Sequence, residues 1–321
     1  MAEVSFELFN NTLVQQMVGP QDANLRLLEK IVGVEISSFG NKMTIKGKKA
    51  AVEQAKTAID VLYNKVSRGI DISEQEVNAA VRLSGDNVST KEAVDLSNLV
   101  LKTKKRHIYP RSATQAEYIQ TMMNNELVFG LGPAGTGKTY LAVALAVSMM
   151  LEGVIDKIIL SRPAVEAGEN LGFLPGDLKD KVDPYLRPLY DALYEMLPAE
   201  QVDKKIALGE IEIAPLAFMR GRTLSNAFII LDEAQNTTPM QMKMFLTRLG
   251  ENSRMVVNGD LSQVDLPRGV ISGLRDALEV LKGTSNIGSV RFSAADVVRH
   301  GLVAKIVKAY EDKSKKEYGD E

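Results

Sequence analysis

Eight consecutive residues, Gly132-Pro133-Ala134-Gly135-Thr136-Gly137-Lys138-Thr139, fit the pattern G-x-x-x-x-G-K-T directly behind the apolar run Leu127–Leu131. The glycines let the backbone curl so that its N–H groups point inward, forming a concave nest for a β-phosphate. A helix from Lys138 to about Met150 adds the positive end of its dipole. In such a loop the lysine reaches the β- and γ-phosphates and the threonine hydroxyl is a ligand for Mg²⁺. Lys138 and Thr139 take these roles here, and Tyr140 joins the loop residues as a nucleotide contact. The pattern implies a nucleoside triphosphate site.

A second group lies at Phe228-Ile-Ile-Leu-Asp232-Glu233. Four apolar residues in a row fit a strand buried on both faces, and the carboxylates emerge at its C-terminal end, where open α/β sheets hold ligands. Asp232 is the second expected Mg²⁺ ligand, direct or through water, and Glu233 the group that orients or deprotonates the attacking water. A third strand, Met255-Val-Val, runs into Asn258-Gly-Asp260-Leu-Ser-Gln263. Asn258 or Gln263 can contact the γ-phosphate or the lytic water, because a neutral amide both donates and accepts.

The rest of the chain must position these groups. From about Pro110 strands and helices alternate, the signature of a parallel, three-layer α/β sheet. With 321 residues, 45% of them apolar, the chain holds one large domain and a smaller one. The absence of cysteine rules out disulfides and thiolate chemistry and suits a cytoplasmic protein. Two histidines, His107 and His300, exclude a histidine-rich metal site. The start has neither a basic nor an apolar leader region, and no run approaches the roughly 18 apolar residues of a membrane span. With a net charge of −2, nucleic acid would be held by a local patch rather than by a global field.

Residues 1–67 are read as strand, helix, two strands and a long helix. The expected elements are a weak strand over Phe6–Leu13, a short helix facing inward through Leu25, Leu28 and Ile31, strands at Val34–Ser38 and Met43–Lys46 around Gly40-Asn41, and an amphipathic helix through Val52, Ala55, Ile59, Leu62 and Val66. This order resembles a KH-type RNA-binding module. Such modules clamp RNA with a G-x-x-G loop; here that place holds Gly19-Pro20-Gln21-Asp22, with an acid for the second glycine. RNA binding and a purely architectural role both remain open for this segment. Residues 68–110 read as a helical connector, with a capping-box pattern at Ser73-x-x-Glu76. It ends in the basic run Lys102–Arg111, which is either a solvated linker or a phosphate-backbone contact. Residues 111–310 form the expected nucleotide-hydrolysing domain and 311–321 a charged tail.

The combination Asp232-Glu-Ala-Gln235 with Gly259-Asp-x-x-Gln263 resembles motifs II and III of superfamily 1 helicases. Pro110-x-x-x-x-Gln115 resembles their adenine-reading Q motif, which would make the nucleotide ATP; Ser112-x-x-Gln115 also reads as a capping box, and both can hold. Longer phrases carry a closer resemblance. Ser161-Arg-Pro-Ala-Val-Glu-Ala-Gly168, Gly172-Phe-Leu-Pro-Gly176-Asp177, Asp183-Pro-Tyr-Leu-Arg-Pro-Leu-Tyr190, Ile213–Thr223 and Asp296-Val-Val-Arg299-His300 are similar to PhoH-like ATPases, and the KH-like segment in front is similar to their YbeZ branch. The resemblance implies a RecA-like ATPase linked to RNA metabolism, sometimes acting with the endoribonuclease YbeY.

Superfamily 1 helicases close ATP between two RecA-like domains, and this chain has room for one. Either the site hydrolyses slowly with its other face open, or a neighbouring subunit completes it, which implies a ring-like homo-oligomer such as a hexamer with an arginine acting across the interface. Arg220, Arg222 and Arg299 are candidates, with Arg222 and Arg299 favoured. Between Ser161 and Tyr190, Arg162, Lys179, Lys181 and Arg187 can meet RNA phosphates and Phe173 and Tyr185 offer stacking faces. The alternative is that Phe173, Leu174, Leu186 and Tyr190 pack helices over the sheet.

Overall fold

The computed structural model describes residues 1–85, 89–163 and 178–297, and for 178–185 the backbone only. The N-terminal unit runs β1 (Ala2–Glu7), α1 (Asn11–Val18), α2 (Ala23–Val32), β2 (Glu35–Phe39), β3 (Lys42–Gly47) and α3 (Lys49–Ser67). Its antiparallel sheet has the order β1-β3-β2. The strand expected over Phe6–Leu13 ends at Glu7. Asn10 turns the chain into α1 by accepting from Thr12 N at 2.9 Å and Leu13 N at 3.3 Å, and Val14, Met17 and Val18 bury one face. This local N-cap outweighs the strand propensity of the preceding residues. The sheet and long helix follow the expected pattern, with Val52, Ala55, Ile59, Leu62 and Val66 all buried. Ile31 is 40% exposed, so α2 meets the core through Leu25 and Leu28.

Two more helices, α4 (Glu74–Leu83) and α5 (Thr90–Asn98), occupy the expected connector. They bury Val77, Ala80, Leu83 and Ala93 in the N-terminal core, so they pack as part of that unit. Ser73 caps α4 without a side-chain hydrogen bond. The capping box does not form because Glu76 turns instead to Lys65, whose ammonium is buried against α4. A hairpin of β4 (Leu101–Lys102) and β5 (His107–Ile108) carries the basic run. Lys105 Nζ donates to Tyr194 O at 2.7 Å and Arg106 pairs with Glu195 at 3.1 Å, so this run docks on a neighbouring helix.

The larger unit contains α6 (Ala113–Asn124), β6 (Leu127–Leu131), α7 (Lys138–Leu151), β7 (Lys157–Arg162), α8 (Leu178–Met196), α9 (Ala199–Ala207), β8 (Ile211–Pro215), β9 (Ala227–Leu231), α10 (Pro239–Leu246), β10 (Arg254–Gly259), α11 (Gly273–Val280) and β11 (Ile287–Arg291). Its six strands are parallel in the order β11-β6-β10-β9-β7-β8. All five residues of β6 and of β9 are buried. Their side chains alternate between two cores: Val128, Phe228, Ile230 and Val256 face α7 and α8, and Phe129, Ile229, Leu231 and Val257 face α10 and α11. This is the expected three-layer α/β core around a parallel sheet. Each fully buried aliphatic side chain contributes about 1.5–3 kcal/mol, and the two cores hold the strand ends in fixed register. Leu131 lies beside Gly259, and Val257 beside Leu231, so the ends of β6, β10 and β9 meet at one edge. Among the described residues no helix is long and apolar enough to cross a membrane.

The Lys65–Glu76 pair carries a stability prediction. Glu76→Ala leaves the buried ammonium unpartnered and lowers unfolding free energy by about 3 kcal/mol, read as a fall in the urea midpoint at constant slope. A loss below about 1 kcal/mol would mean that the ammonium reaches water.

Candidate active site

Gly132 begins the loop with φ 133°, a conformation strained for other residues, and a Cβ there would drive into the carbonyl oxygen of Phe292. Its N–H donates to Gly259 O at 3.1 Å, fastening the loop to the end of β10. Thr136 Oγ1 donates to Pro133 O at 3.0 Å and closes the loop on itself, while Ala134 and Gly135 form its exposed tip. Gly137, also at positive φ, starts α7. Lys138 Nζ donates to the carbonyls of Gly132 and Pro133 at 2.7 and 2.8 Å. Burial holds its pKa below the ordinary 10.5, although Asp232, Asp260 and Glu233 pull the other way.

Gln115 is 4% exposed. Its Oε1 accepts from Arg111 N at 2.7 Å and its Nε2 donates to Thr136 O at 3.1 Å, so it braces the loop against the start of α6. Half of the capping box forms: Ser112 Oγ accepts from Gln115 N at 3.2 Å, while the glutamine reaches back to Arg111 N. Ser112 Oγ also donates to Asp296 Oδ1 at 2.8 Å. Burial alone would raise the pKa of Asp296, but hydrogen bonds from Ser293, Ser112 and Thr114 outweigh it and hold that carboxyl below 3.8.

The decisive contact joins residues far apart in the chain. Thr139 Oγ1 donates to Asp232 Oδ1 at 2.6 Å across 93 positions. Asp232 is 8% exposed. Burial raises its pKa above 3.8; the Thr139 hydrogen bond opposes this and the neighbouring Glu233 adds to it. Glu233 has a left-handed backbone, φ 53° and ψ 37°, a strain that accumulates at functional sites. Its Oε1 lies 3.1 Å from Arg162 Nη2, and its Oε2 accepts from Gln235 Nε2 at 2.6 Å. Gln235 Oε1 in turn accepts from Asp260 N at 3.1 Å.

From β10, Asn258 Oδ1 accepts from Tyr118 OH at 2.6 Å. Its Nδ2 is buried without a hydrogen-bond partner among the described residues. Gln263 Nε2 donates to Asp260 Oδ2 at 2.9 Å. A cleft of about 390 Å³ gathers Lys138, Thr139, Tyr140, Asp232, Glu233, Asp260 and Gln263. A second cavity of about 610 Å³ adjoins it through Gly135, Gly137 and Tyr140, and extends past Gln115 and Tyr109 to Glu76 of the N-terminal unit.

The expected loop residues, Asp232, Glu233 and Gln263 thus converge. Arg222 is drawn elsewhere. Its two guanidinium nitrogens hold Glu212 of β8 at 2.6 and 2.7 Å, and it does not line the cleft. Arg299 lies outside the described residues, as do Phe173 and Leu174. Leu186 is buried and Tyr190 packs against the same core, whereas Arg187 is exposed.

The PhoH-like protein family matches residues 107–311. The chain belongs to that family. A PhoH-like protein of Bacillus subtilis is 51% identical over 296 residues, covering 92% of this chain and 93% of the relative. One from Mycobacterium tuberculosis is 48% identical over 300 residues, covering 93% and 85%. Protein PhoH of Escherichia coli is 42% identical over 272 residues, covering 84% and 75%. Among solved structures, the UvsW helicase of bacteriophage T4 aligns over 71% of this chain and 75% of its own, at 12% identity and a TM-score of 0.37. At that score the likeness carries no functional weight.

Within this PhoH-like site, sequence reasoning did not mark Tyr118, or Gln235 and Asp260 as braces. Gln235 and Asp260 lie inside the quoted motifs, where their side-chain partners have no sequence signal. Tyr118 sits three residues after Gln115, in a helix whose pattern marks it as core alone.

Asp232 also gives a pH prediction. Its raised native pKa means that burial destabilises the ionised form, a cost present at neutral pH and absent once the carboxyl is protonated. Asp232→Asn is therefore more stable than the parent at pH 7. The gap in urea midpoint closes as pH falls through the raised native pKa toward 3.8. A gap independent of pH would rule out carboxylate burial as its source.

Proposed function

We propose that this chain is a Mg²⁺-dependent ATPase whose hydrolysis is tied to RNA binding or remodelling. The observation that carries the reading is the Thr139–Asp232 hydrogen bond, with Glu233 beside it at the lip of the same cleft. The triphosphate lies along the loop, its β-phosphate among the inward N–H groups at the start of α7. Lys138 leaves the carbonyls of Gly132 and Pro133 for the phosphate oxygens, exchanging neutral acceptors for charged ones.

The oxygen donors of Thr139 and Asp232 suit a hard cation such as Mg²⁺. They would hold it together with phosphate oxygens and water, and it would neutralise charge on the γ-phosphate. Glu233 aligns the attacking water and takes its proton. Gln263, on the same cleft wall, reaches the γ-phosphate by leaving Asp260. The nucleoside enters the adjoining cavity, where Gln115 keeps the loop in place and offers the adenine edge its remaining lone pair. Because that cavity reaches Glu76, the nucleotide touches the unit whose element order supports RNA binding.

A second subunit of a homo-oligomer, such as a hexamer, closes the open face of the cleft, with Arg299 or Arg222 supplying charge across the interface. For Arg222 this requires leaving Glu212. The family and the KH-like unit support RNA as the partner and an endoribonuclease such as YbeY as a co-worker.

The test is phosphate release by the full chain, with and without single-stranded RNA. Glu233→Gln keeps nucleotide affinity and loses about 10²–10⁴-fold in turnover, while Lys138→Ala loses nucleotide binding. Unchanged turnover in Glu233→Gln would remove Glu233 as the base, and tight ATP binding by Lys138→Ala would overturn the phosphate-loop assignment.

A further inference from the structure

Both oxygens of Glu233 are engaged, one by the Arg162 guanidinium and the other by the Gln235 amide. The two partners differ in character. Gln235 is 1% exposed and tied to the backbone of Asp260, so it is a fixed brace. The Arg162 side chain is 22% exposed and the Glu233 side chain 37%. The pair is thus partly open to water, and a competing anion can reach the arginine.

The sheet order fixes the side from which that anion comes. β9, which ends at Leu231 just before Asp232 and Glu233, lies between β10 and β7. The phosphate loop follows β6, on the β10 side, and Arg162 ends β7, on the opposite side. Arg162 does not line the cleft that holds Lys138, Thr139 and Asp232. A γ-phosphate in that cleft therefore meets Glu233 from one flank while Arg162 holds it from the other. An anion that captures Arg162 from outside that cleft would be a second ligand. A guanidinium fork matches phosphodiester oxygens bidentately, and the exposed Arg187 of α8 adds a second cation to the helix that follows β7 in the chain.

We propose that Arg162 is a positioning residue that keeps Glu233 in a resting geometry, and that single-stranded RNA phosphate releases Glu233 to the attacking water by drawing Arg162 away. This rests on the reading of Glu233 as the base. The arginine competes with water for the carboxylate until RNA takes it, which makes hydrolysis conditional on a loaded strand. No bond is made or broken in the switch; a guanidinium exchanges one anionic partner for another.

The experiment compares Arg162→Ala, Arg162→Lys and the parent, as full chains, for phosphate release with and without poly(U), and for affinity toward a non-hydrolysable ATP analogue. In Arg162→Ala without RNA, kcat rises about fivefold, the factor matching an ion pair of about 1 kcal/mol. KM and analogue affinity stay unchanged, and poly(U) adds nothing further. Arg162→Lys keeps a pair with Glu233 and retains low basal turnover with part of the RNA response.

A basal kcat that is unchanged or lower in Arg162→Ala, with RNA stimulation intact, overturns the proposal; a fall in kcat would place Arg162 on the γ-phosphate instead. A raised basal kcat in Arg162→Ala alongside a parent indifferent to poly(U) overturns RNA as the releasing ligand. Failure of the underlying reading looks different: Glu233→Gln would then turn over like the parent, whatever Arg162 does.

Discussion

The hydrogen bond from Thr139 to Asp232 is the constraint around which the larger unit is organised. It demands that the first turn of α7 and the end of β9 come within 2.6 Å, although another strand, β10, lies between β6 and β9. A parallel sheet with both faces covered meets that demand, because its strand ends are set by two cores rather than by loops. The same covering buries Asp232 and makes its ionised form costly. The site therefore holds a destabilising charge that the sheet tolerates, a pattern concentrated at functional sites.

Around that bond the bracing is mostly neutral. Gln115 ties the loop to α6, Gln235 ties Glu233 to β10, and Tyr118 holds Asn258. Amides and phenols can fix geometry on both sides of a junction without adding charge to a cleft that must accept a polyanion. Arg162 is the exception. It brings positive charge to Glu233 from the end of β7, the neighbour of β9 on the side away from β10.

The N-terminal unit is joined to this site more closely than a tethered module would be. Its α4 and α5 share a core with the small sheet, Lys65 is buried against Glu76, and Glu76 reaches the cavity beside the phosphate loop. Lys65 and Arg68 also lie 5.9 Å from the ring centre of Tyr109, in the segment leading to α6.

The sequence by itself marked the phosphate-loop and carboxylate motifs and most of the elements. Gly132, Lys138 and Thr139 follow an apolar strand, and Asp232 and Glu233 end another; backbone strain, charge and burial leave few alternatives at those positions. Periodicity likewise placed α3, β2, β3, β6 and β9. What depends on distant partners stayed hidden. Glu76 reads locally as a capping residue, yet Lys65 takes it. Gln115 reads as a base reader or a capping residue, and the fold adds a bracing role by setting its amide between Arg111 N and Thr136 O. Arg222 reads as an arginine acting across a subunit interface, while within the chain Glu212 holds it. The physical reason is common to all three: a polar side chain has several partners within its reach, and the tertiary fold decides which one is adjacent. The tertiary fold likewise put β10 between the two motifs and Arg162 on the far flank of Glu233, because strand order is set by packing over both faces of the sheet and not by order along the chain.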